Sequence, residues 1–202
     1  MVKYPFWKRV EDILGSTFGI LLISPILPFI VLAIKLEYPR EKTLVKLKRV
    51  SEGKIIEVYK FRNMIPNADK IKKDLLHLNE RTDGPFFKIS RDPRVTRVGR
   101  VLRKFRLDEF PQLINVLRGE LALVGPRPHE REEVDAYPAE YKDIAEYRAG
   151  VTGLSQVSGA SSLAFMRELE LDKFYIQNRS LWMDVKILFR TAAILFFDPT
   201  AV

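Results

Sequence analysis

Apolar positions are spread unevenly along the chain. Residues 13–34 read ILGSTFGILLISPILPFIVLAI without a single charge. As one straight helix they would run roughly 33 Å, enough to cross a bilayer core. A signal peptide is the first alternative, with Lys8 and Arg9 as its basic start. However, no small-x-small cleavage site follows, and the stretch is too long for such a leader. Ser24-Pro25 lies at the centre of the segment and Pro28 follows. Pro25 cannot bond the carbonyl of Leu21, nor Pro28 that of Ser24, and the Ser24 hydroxyl can turn back onto a freed carbonyl and widen the bend.

The flanks of this segment are basic on both sides. Lys3, Lys8 and Arg9 precede it; Lys35, Arg40, Lys42, Lys46, Lys48 and Arg49 follow it. Basic residues at both ends resist export of either end. A bent hairpin that returns to the face it entered satisfies this; a proline-kinked span does not, although such kinked spans are common. The residues leave both open.

Beyond the apolar segment the period changes. Leu44-Val45 and Ile55-Ile56-Glu57-Val58 flank a turn at Ser51-Glu52-Gly53 and predict two short strands. Residues 67–80 carry helical spacing at Ala68, Ile71, Leu75 and Leu78, with His77 on the polar or boundary face and without a role. Residues 82–93 read as a loop. Residues 95–105 and 107–117 predict two helices broken near Arg106. Residues 121–124 form a short apolar run ending in Gly125-Pro126, the acidic stretch 130–143 a solvated helix or loop, and 151–162, rich in Gly, Ser and Thr, a loop. Residues 181–197 are apolar around most of a helix, with Asp184, Lys186 and Arg190 as polar points. Trp182 near its start suits a membrane interface, and burial under a soluble core is the alternative. No repeat and no flexible linker appears. The division is an anchor segment over residues 1–36 and one domain over 37–202, built as one continuous unit.

Composition narrows the chemistry. With 202 residues and 47% hydrophobic positions, the chain is a folded protein of one domain or two at most. It has no cysteine and only two histidines, His77 and His129, which removes disulfides, thiol catalysis and multi-histidine metal sites. Carboxylates, hydroxyls, lysines, arginines or a hard cation held by oxygen remain. A net charge of +8, from 34 basic and 26 acidic residues, points to an anionic partner.

Three stretches can carry that chemistry. In Arg103-Lys104-Phe105-Arg106-Leu107-Asp108-Glu109-Phe110-Pro111-Gln112, Asp108 is a good N-cap, Glu109 a good first-turn residue, and Pro111 is tolerated in a first turn. A well-capped helix is the plain interpretation. A carboxylate held ionised at a helix start, within the field of Arg100, Arg103, Lys104 and Arg106, could also meet an anionic phosphate if a divalent cation lay between them. Gly125-Pro126-Arg127-Pro128 fixes the backbone on both sides of one arginine, which lowers the entropy lost when its guanidinium grips a phosphate. Arg148-Ala149-Gly150-Val151-Thr152-Gly153-Leu154-Ser155-Gln156 offers two glycines for close approach of backbone to a ligand, with Arg148 and Gln156 as polar contacts. Neither a Walker A loop nor a Rossmann fingerprint is present.

Taken in order, Ser24-Pro25, Lys60-Phe61-Arg62-Asn63-Met64, Leu107-Asp108-Glu109-Phe110-Pro111-Gln112, Asn115-Val116-Leu117-Arg118-Gly119, Val124-Gly125-Pro126-Arg127-Pro128 and Gly150-Val151-Thr152-Gly153-Leu154-Ser155-Gln156 resemble the bacterial sugar transferase family, the monotopic polyprenyl-phosphate phosphoglycosyl transferases. The resemblance runs from about Lys8 to Phe196 and covers the minimal catalytic core. It implies a membrane-anchored α/β fold, mostly helical with a small sheet, with a re-entrant N-terminal helix broken at Ser24 and Pro25 and interfacial amphipathic helices. It implies transfer of a sugar-1-phosphate from a UDP-sugar to undecaprenyl phosphate, giving a polyprenyl diphospho-sugar and UMP, as the first membrane step of bacterial glycoconjugate synthesis. Asp108 would be the covalent nucleophile and a magnesium ligand, with Glu109 supporting it. Arg127 would contact substrate phosphate or lipid phosphate, with Arg106, Arg148 and Gln156 as lesser candidates. The place would be the cytoplasmic face of the bacterial inner membrane, the partners both substrates and the phospholipid, with no nucleic acid; a homodimer is compatible. Two other classes compete: a basic nucleic-acid-binding module, against which no helix-turn-helix or aromatic-interleaved pattern appears, and a non-enzymatic membrane scaffold.

This chain departs from the family pattern at three places. Asn63 stands where Thr or Ser is usual. Ala149 replaces a proline, and Ser158-Gly159-Ala160 replaces an Asn-Gly-Arg-like end and loses a basic residue.

Overall fold

The computed structural model describes residues 3–159 and 162–197, the last three by backbone only. The apolar N-terminal segment forms two helices, α1 (Phe6–Ile23) and α2 (Leu27–Glu37), bent by 63°. The break falls at Ser24-Pro25. The Ser24 hydroxyl donates to the carbonyl of Leu21, 2.9 Å away, the acceptor that Pro25 leaves without its usual partner. Among the described residues no single helix is long and apolar enough to cross a membrane.

Along α1, Lys8, Asp12 and Ser16 recur every four residues, and all three are buried. Lys8 donates to the Tyr175 hydroxyl at 2.9 Å and pairs with Asp184. Asp12 accepts the backbone N–H of Leu123 at 2.7 Å. Lys8 is thus a structural cation, not part of a solvated basic flank, and Asp184 is not a solvated polar point. Arg9 likewise caps α5 (Gln112–Arg118), donating to the carbonyls of Val116 and Leu117. The opposite face of the bent pair is bare: Leu14, Phe18, Leu21, Leu22, Phe29, Leu32 and Leu36 are all more than half exposed.

Strands β1 (Leu44–Ser51) and β2 (Lys54–Phe61) pair antiparallel from Leu44↔Phe61 to Ser51↔Lys54. Both turn residues, Glu52 (φ 51°) and Gly53 (φ 71°), are left-handed, as a two-residue type I′ hairpin requires. The strands are longer than their apolar cores suggest, because basic residues fill the exposed positions. Residues 67–80 form only α3 (Ala68–Lys72) and a 3-10 turn at Leu76–Leu78, which carries the exposed His77.

Helix α4 (Arg97–Lys104) is capped by Thr96, whose hydroxyl accepts the N–H of Gly99. The Glu37 carboxylate at the end of α2 accepts the N–H groups of Arg97 and Val98, tying the bent pair to α4. The chain then breaks at Arg106, which adopts a left-handed conformation (φ 51°). A 3-10 turn at Leu107–Glu109 and α5 follow. Asn115 is wholly buried on α5: its amide accepts from Tyr59 N and donates to the Glu57 carbonyl, so α5 is stitched to β2.

Strand β3 (Ala122–Val124) pairs in parallel with β4 (Gly150–Thr152), where the composition suggested only a loop. Between them lie α6 (Arg131–Asp135) and a 3-10 stretch at Ala139–Glu146; after them come the one-turn α7 (Leu154–Val157), α8 (Phe165–Asn178) and α9 (Leu181–Phe197). The core gathers Val116, Leu121, Leu123, Val124, Leu169, Tyr175 and Ile187 around the β3–β4 pair. On α9, Ile187 and Asp184 are buried, whereas Trp182 and Phe189 on another face are exposed. The fold is mostly helical, with two two-stranded sheets.

Candidate active site

Asp108 and Glu109 sit in the 3-10 turn before α5. Asp108 is buried but does not cap a helix: Pro111 occupies the N-cap of α5, with no side-chain cap bond. The carboxylate is instead held from β2 and the residues after it. Lys60 Nζ lies 2.8 Å from Asp108 Oδ2 and 3.3 Å from Glu109 Oε1, so one ammonium joins both acids. The Asn63 amide donates to the same Asp108 Oδ2 at 2.6 Å. Burial pushes the Glu109 carboxyl up, but Lys60 and then Arg127 outweigh it and leave it below its usual range. Lys60 is raised: burial lowers it, and Glu109 and Asp108 more than compensate.

The pair lines a cavity of about 340 Å³ together with Lys60, Arg103, Arg106, Arg127 and Gln156. A second cavity of about 420 Å³ adjoins it and shares Arg49, Lys60, Arg103 and Arg127. Its own wall adds Asn63, Phe86 and Phe87. Most of the basic residues here already have acidic partners, such as Arg49 with Glu130 and Arg94 with Asp92. Arg106 and Arg103 make no such ion pair among the described residues, so the cleft keeps a positive field.

Arg127 is placed by residues far away in sequence. Its backbone N–H donates to Asp172 Oδ2 at 3.1 Å, and its Nε lies 3.9 Å from Glu168 Oε1. Asp172 also accepts the Ser155 hydroxyl at 2.7 Å, and Glu168 pairs with His129 Nε2 at 3.0 Å. His129 in turn meets the Tyr137 hydroxyl. All of these carboxylates come from α8, which hydrophobic periodicity does not reveal. Gly150 and Gly153 do not open the backbone to a ligand. A Cβ on Gly150 would lie 2.1 Å from Gly125 N, and one on Gly153 would lie 2.1 Å from Gly125 O. They let β4 close against the Gly125-Pro126-Arg127-Pro128 loop and so shape the arginine's seat.

Gln156 lines the dyad cavity; its amide donates to the Val151 carbonyl, and its buried Oε1 has no partner among the described residues. Arg148 is not brought to the cleft. It is bound by Glu52 at 3.0 Å and stacked 3.8 Å over Tyr4. The lost basic residue at position 160 lies outside the described residues.

Burial raises the Asp172 carboxyl to about 6, against the hydrogen bond from Ser155. Its folded value exceeds its unfolded value. The stabilisation linked to its protonation is therefore fully present below about 3.8 and lost as pH rises through about 6. Asp172→Asn should remove this slope. The difference in unfolding free energy between variant and parent should change by up to about 3 kcal/mol between pH 4 and pH 8, as read by denaturant titration. Equal slopes for the two would refute the assignment.

One buried and one partly exposed carboxylate thus lie under a cationic cleft, in a domain that also carries a bent apolar helix pair. The model of the bacterial sugar transferase family matches residues 3–198, and the chain belongs to that family. It is 37% identical over 194 residues to the undecaprenyl-phosphate galactose phosphotransferase of Salmonella typhimurium, covering 94% of this chain and 40% of that one. It is 38% identical over 207 residues to the UDP-glucose:undecaprenyl-phosphate glucose-1-phosphate transferase of Escherichia coli, covering 96% and 41%. It is 34% identical over 187 residues to the exopolysaccharide production protein ExoY of Rhizobium meliloti, covering 91% and 83%. The chain thus spans about two fifths of the first two and most of the third.

Proposed function

We propose that the protein transfers a sugar-1-phosphate from a UDP-sugar to undecaprenyl phosphate, releasing UMP. The observation that carries this is the Asp108–Glu109 pair, bridged by Lys60 in the cationic cleft of a sugar transferase domain. The names of two relatives, which specify undecaprenyl phosphate as acceptor, support it. A scaffold alone would have no use for two carboxylates facing a positive cavity.

In this reading an Asp108 oxygen attacks the phosphorus that bears the sugar. The bond to the bridging oxygen breaks, and UMP departs with its electron pair. The lipid phosphate then attacks the same phosphorus and returns Asp108 to its free carboxylate. Arg127 and Arg106 steady the phosphates, and Gln156 lines the same cavity. Two adjacent carboxylates, one half-exposed, suit magnesium, which takes few protein ligands and fills its shell with water and phosphate. No group of three or more potential metal-ligating side chains exists among the described residues. Held by Asp108 with Glu109 beside it, the ion would screen the repulsion between carboxylate and diphosphate. The experiment is a panel of UDP-sugars with undecaprenyl phosphate, scored for UMP. Release from at least one donor, lost with EDTA and restored by magnesium, is expected; no release across the panel would overturn the function.

The bent pair α1–α2 forms a re-entrant anchor on the cytoplasmic face of the bacterial inner membrane. Its exposed leucines and phenylalanines enter one leaflet, with Trp182 and Phe189 of α9 at the interface. The active site then sits at headgroup level, where a soluble donor and a lipid phosphate can meet. Cysteines introduced at Lys3 and Arg40, in a chain that has none, should both resist a membrane-impermeant thiol reagent applied to intact cells. Labelling of position 3 from outside would sink the hairpin. Replacing Ser24 and Pro25 with Ala and Leu restores the bond from position 25 to the Leu21 carbonyl and should shift the chain toward a spanning form.

A further inference from the structure

Asn63 is the uncharged side chain that donates to the Asp108 carboxylate. It is 6% exposed and sits just beyond β2. Its backbone is fixed before its side chain acts. The Asn63 carbonyl accepts the N–H of Thr96 at 3.1 Å, and the next two residues, Met64 and Ile65, pair with Val95 and Arg94. Gly99 of α4 comes so close to that carbonyl that a Cβ there would lie 2.0 Å from it. Residue 63 is therefore clamped between α4 and the segment that leads into it. The amide orientation follows from chemistry: an ionised carboxylate only accepts, so the NH₂ of Asn63 faces Asp108.

Asn63 and Lys60 both approach Oδ2 of Asp108, at 2.6 and 2.8 Å. No hydrogen bond to Oδ1 is made among the described residues. The two oxygens of one carboxylate are thus made unequal by their neighbours. We propose that Asn63 is a positioning residue for the nucleophile: with Lys60 it occupies Oδ2, fixes the carboxylate plane, and leaves Oδ1 as the oxygen that forms the bond to phosphorus. The proposal rests on the phosphoglycosyl transfer reading above and deepens it. Oδ1 forms the new O–P bond while the phosphorus–bridging oxygen bond breaks and UMP takes the electron pair. Asn63 changes no bond. Its part is to keep the carboxylate from rotating, which matters because small misplacements of a reacting group are costly.

The test uses the full chain in membranes or detergent with magnesium and a UDP-sugar found to be a donor. UMP released in the absence of lipid phosphate is followed in a single turnover. Asn63→Leu keeps the branching at Cγ and removes the donor; Asn63→Thr restores one hydroxyl donor. For Asn63→Leu the single-turnover rate should fall by about 100-fold with little change in the donor concentration at half-maximal rate. Asn63→Thr should remain within about fivefold of the parent, because its hydroxyl again gives the carboxylate a donor. Thermal unfolding separates misfolding from mispositioning, and recovery by Asn63→Thr guards against a merely structural role. A parent that bursts normally while Asn63→Leu bursts at the same rate overturns the role of Asn63 alone. So does a variant that changes only its apparent donor affinity. A parent that turns over but releases no UMP without lipid phosphate overturns the covalent step, and the choice of Oδ1 with it.

Discussion

Asp108→Asn is expected to abolish both halves of the reaction while the protein still folds. The substituted amide keeps an oxygen that can accept from Asn63, and Lys60 keeps Glu109 at 3.3 Å, so no buried charge is stranded. The carboxylate that attacks phosphorus in the proposed reaction, however, is gone. UMP release with or without lipid phosphate should drop by about four orders of magnitude or more. Intact mass after incubation with the donor and magnesium should show an added phospho-sugar on the parent and none on the variant. Should the parent carry no adduct under a quench fast enough to keep an acyl phosphate, and its kinetics need both substrates bound together, Asp108 is a metal ligand and not a nucleophile. Glu109→Gln should slow turnover yet still allow some labelling of Asp108.

Arg127→Lys should lose activity although it keeps the charge. Lysine offers a point charge on a flexible stem in place of a planar fork. The arginine is held in place at both ends. Flanking prolines fix its backbone, Asp172 accepts its N–H at 3.1 Å, and Glu168 stands 3.9 Å from its Nε. That seat is shaped for one guanidinium direction, and lysine cannot reproduce it. A fall of about 100-fold in turnover is expected for Arg127→Lys, and a larger one for Arg127→Ala. Parental activity in Arg127→Lys would remove the arginine from the phosphate site.

Features that depend on local chemistry were legible in the sequence. Ser24-Pro25 breaks its helix because a proline lacks a donor wherever it stands, and Glu52-Gly53 turns the hairpin because both positions need positive φ. Features that depend on distant partners were not legible. Helix α8 turns Phe165, Glu168, Leu169, Asp172, Tyr175 and Ile176 inward, and two of these six are acidic, which blurs the apolar stripe. Those same acids seat Arg127, so the missed helix and the missed supports of the site have one cause. Strand β4 was read as a loop because its glycines serve close packing against Gly125, a contact no local pattern reveals. The carboxylate of Asp108 was assigned to a helix cap, but Lys60 and Asn63 reach it from 48 and 45 positions earlier. The stretch Lys60-Phe61-Arg62-Asn63-Met64 was the one sequence signal for those partners, and it carried no stated role. Arg148 shows the converse, a residue beside a suggestive motif whose charge is spent on Glu52 and Tyr4.

The polar stripe of α1 bears on how the enzyme can be handled in the laboratory. A water-soluble fragment made by cutting after residue 36 would strand Asp184 without Lys8 and the Leu123 amide without Asp12, both in the protein interior. Breaking a buried ion pair by removing one partner costs about 3–5 kcal/mol, a large share of a domain's stability. Helix α1 is therefore also an internal wall of the domain that follows it. Solubilisation belongs on the outward side of the bent pair, by exchanging Leu14, Phe18, Leu21 and Phe29 for polar residues while Lys8, Asp12 and Ser16 stay untouched.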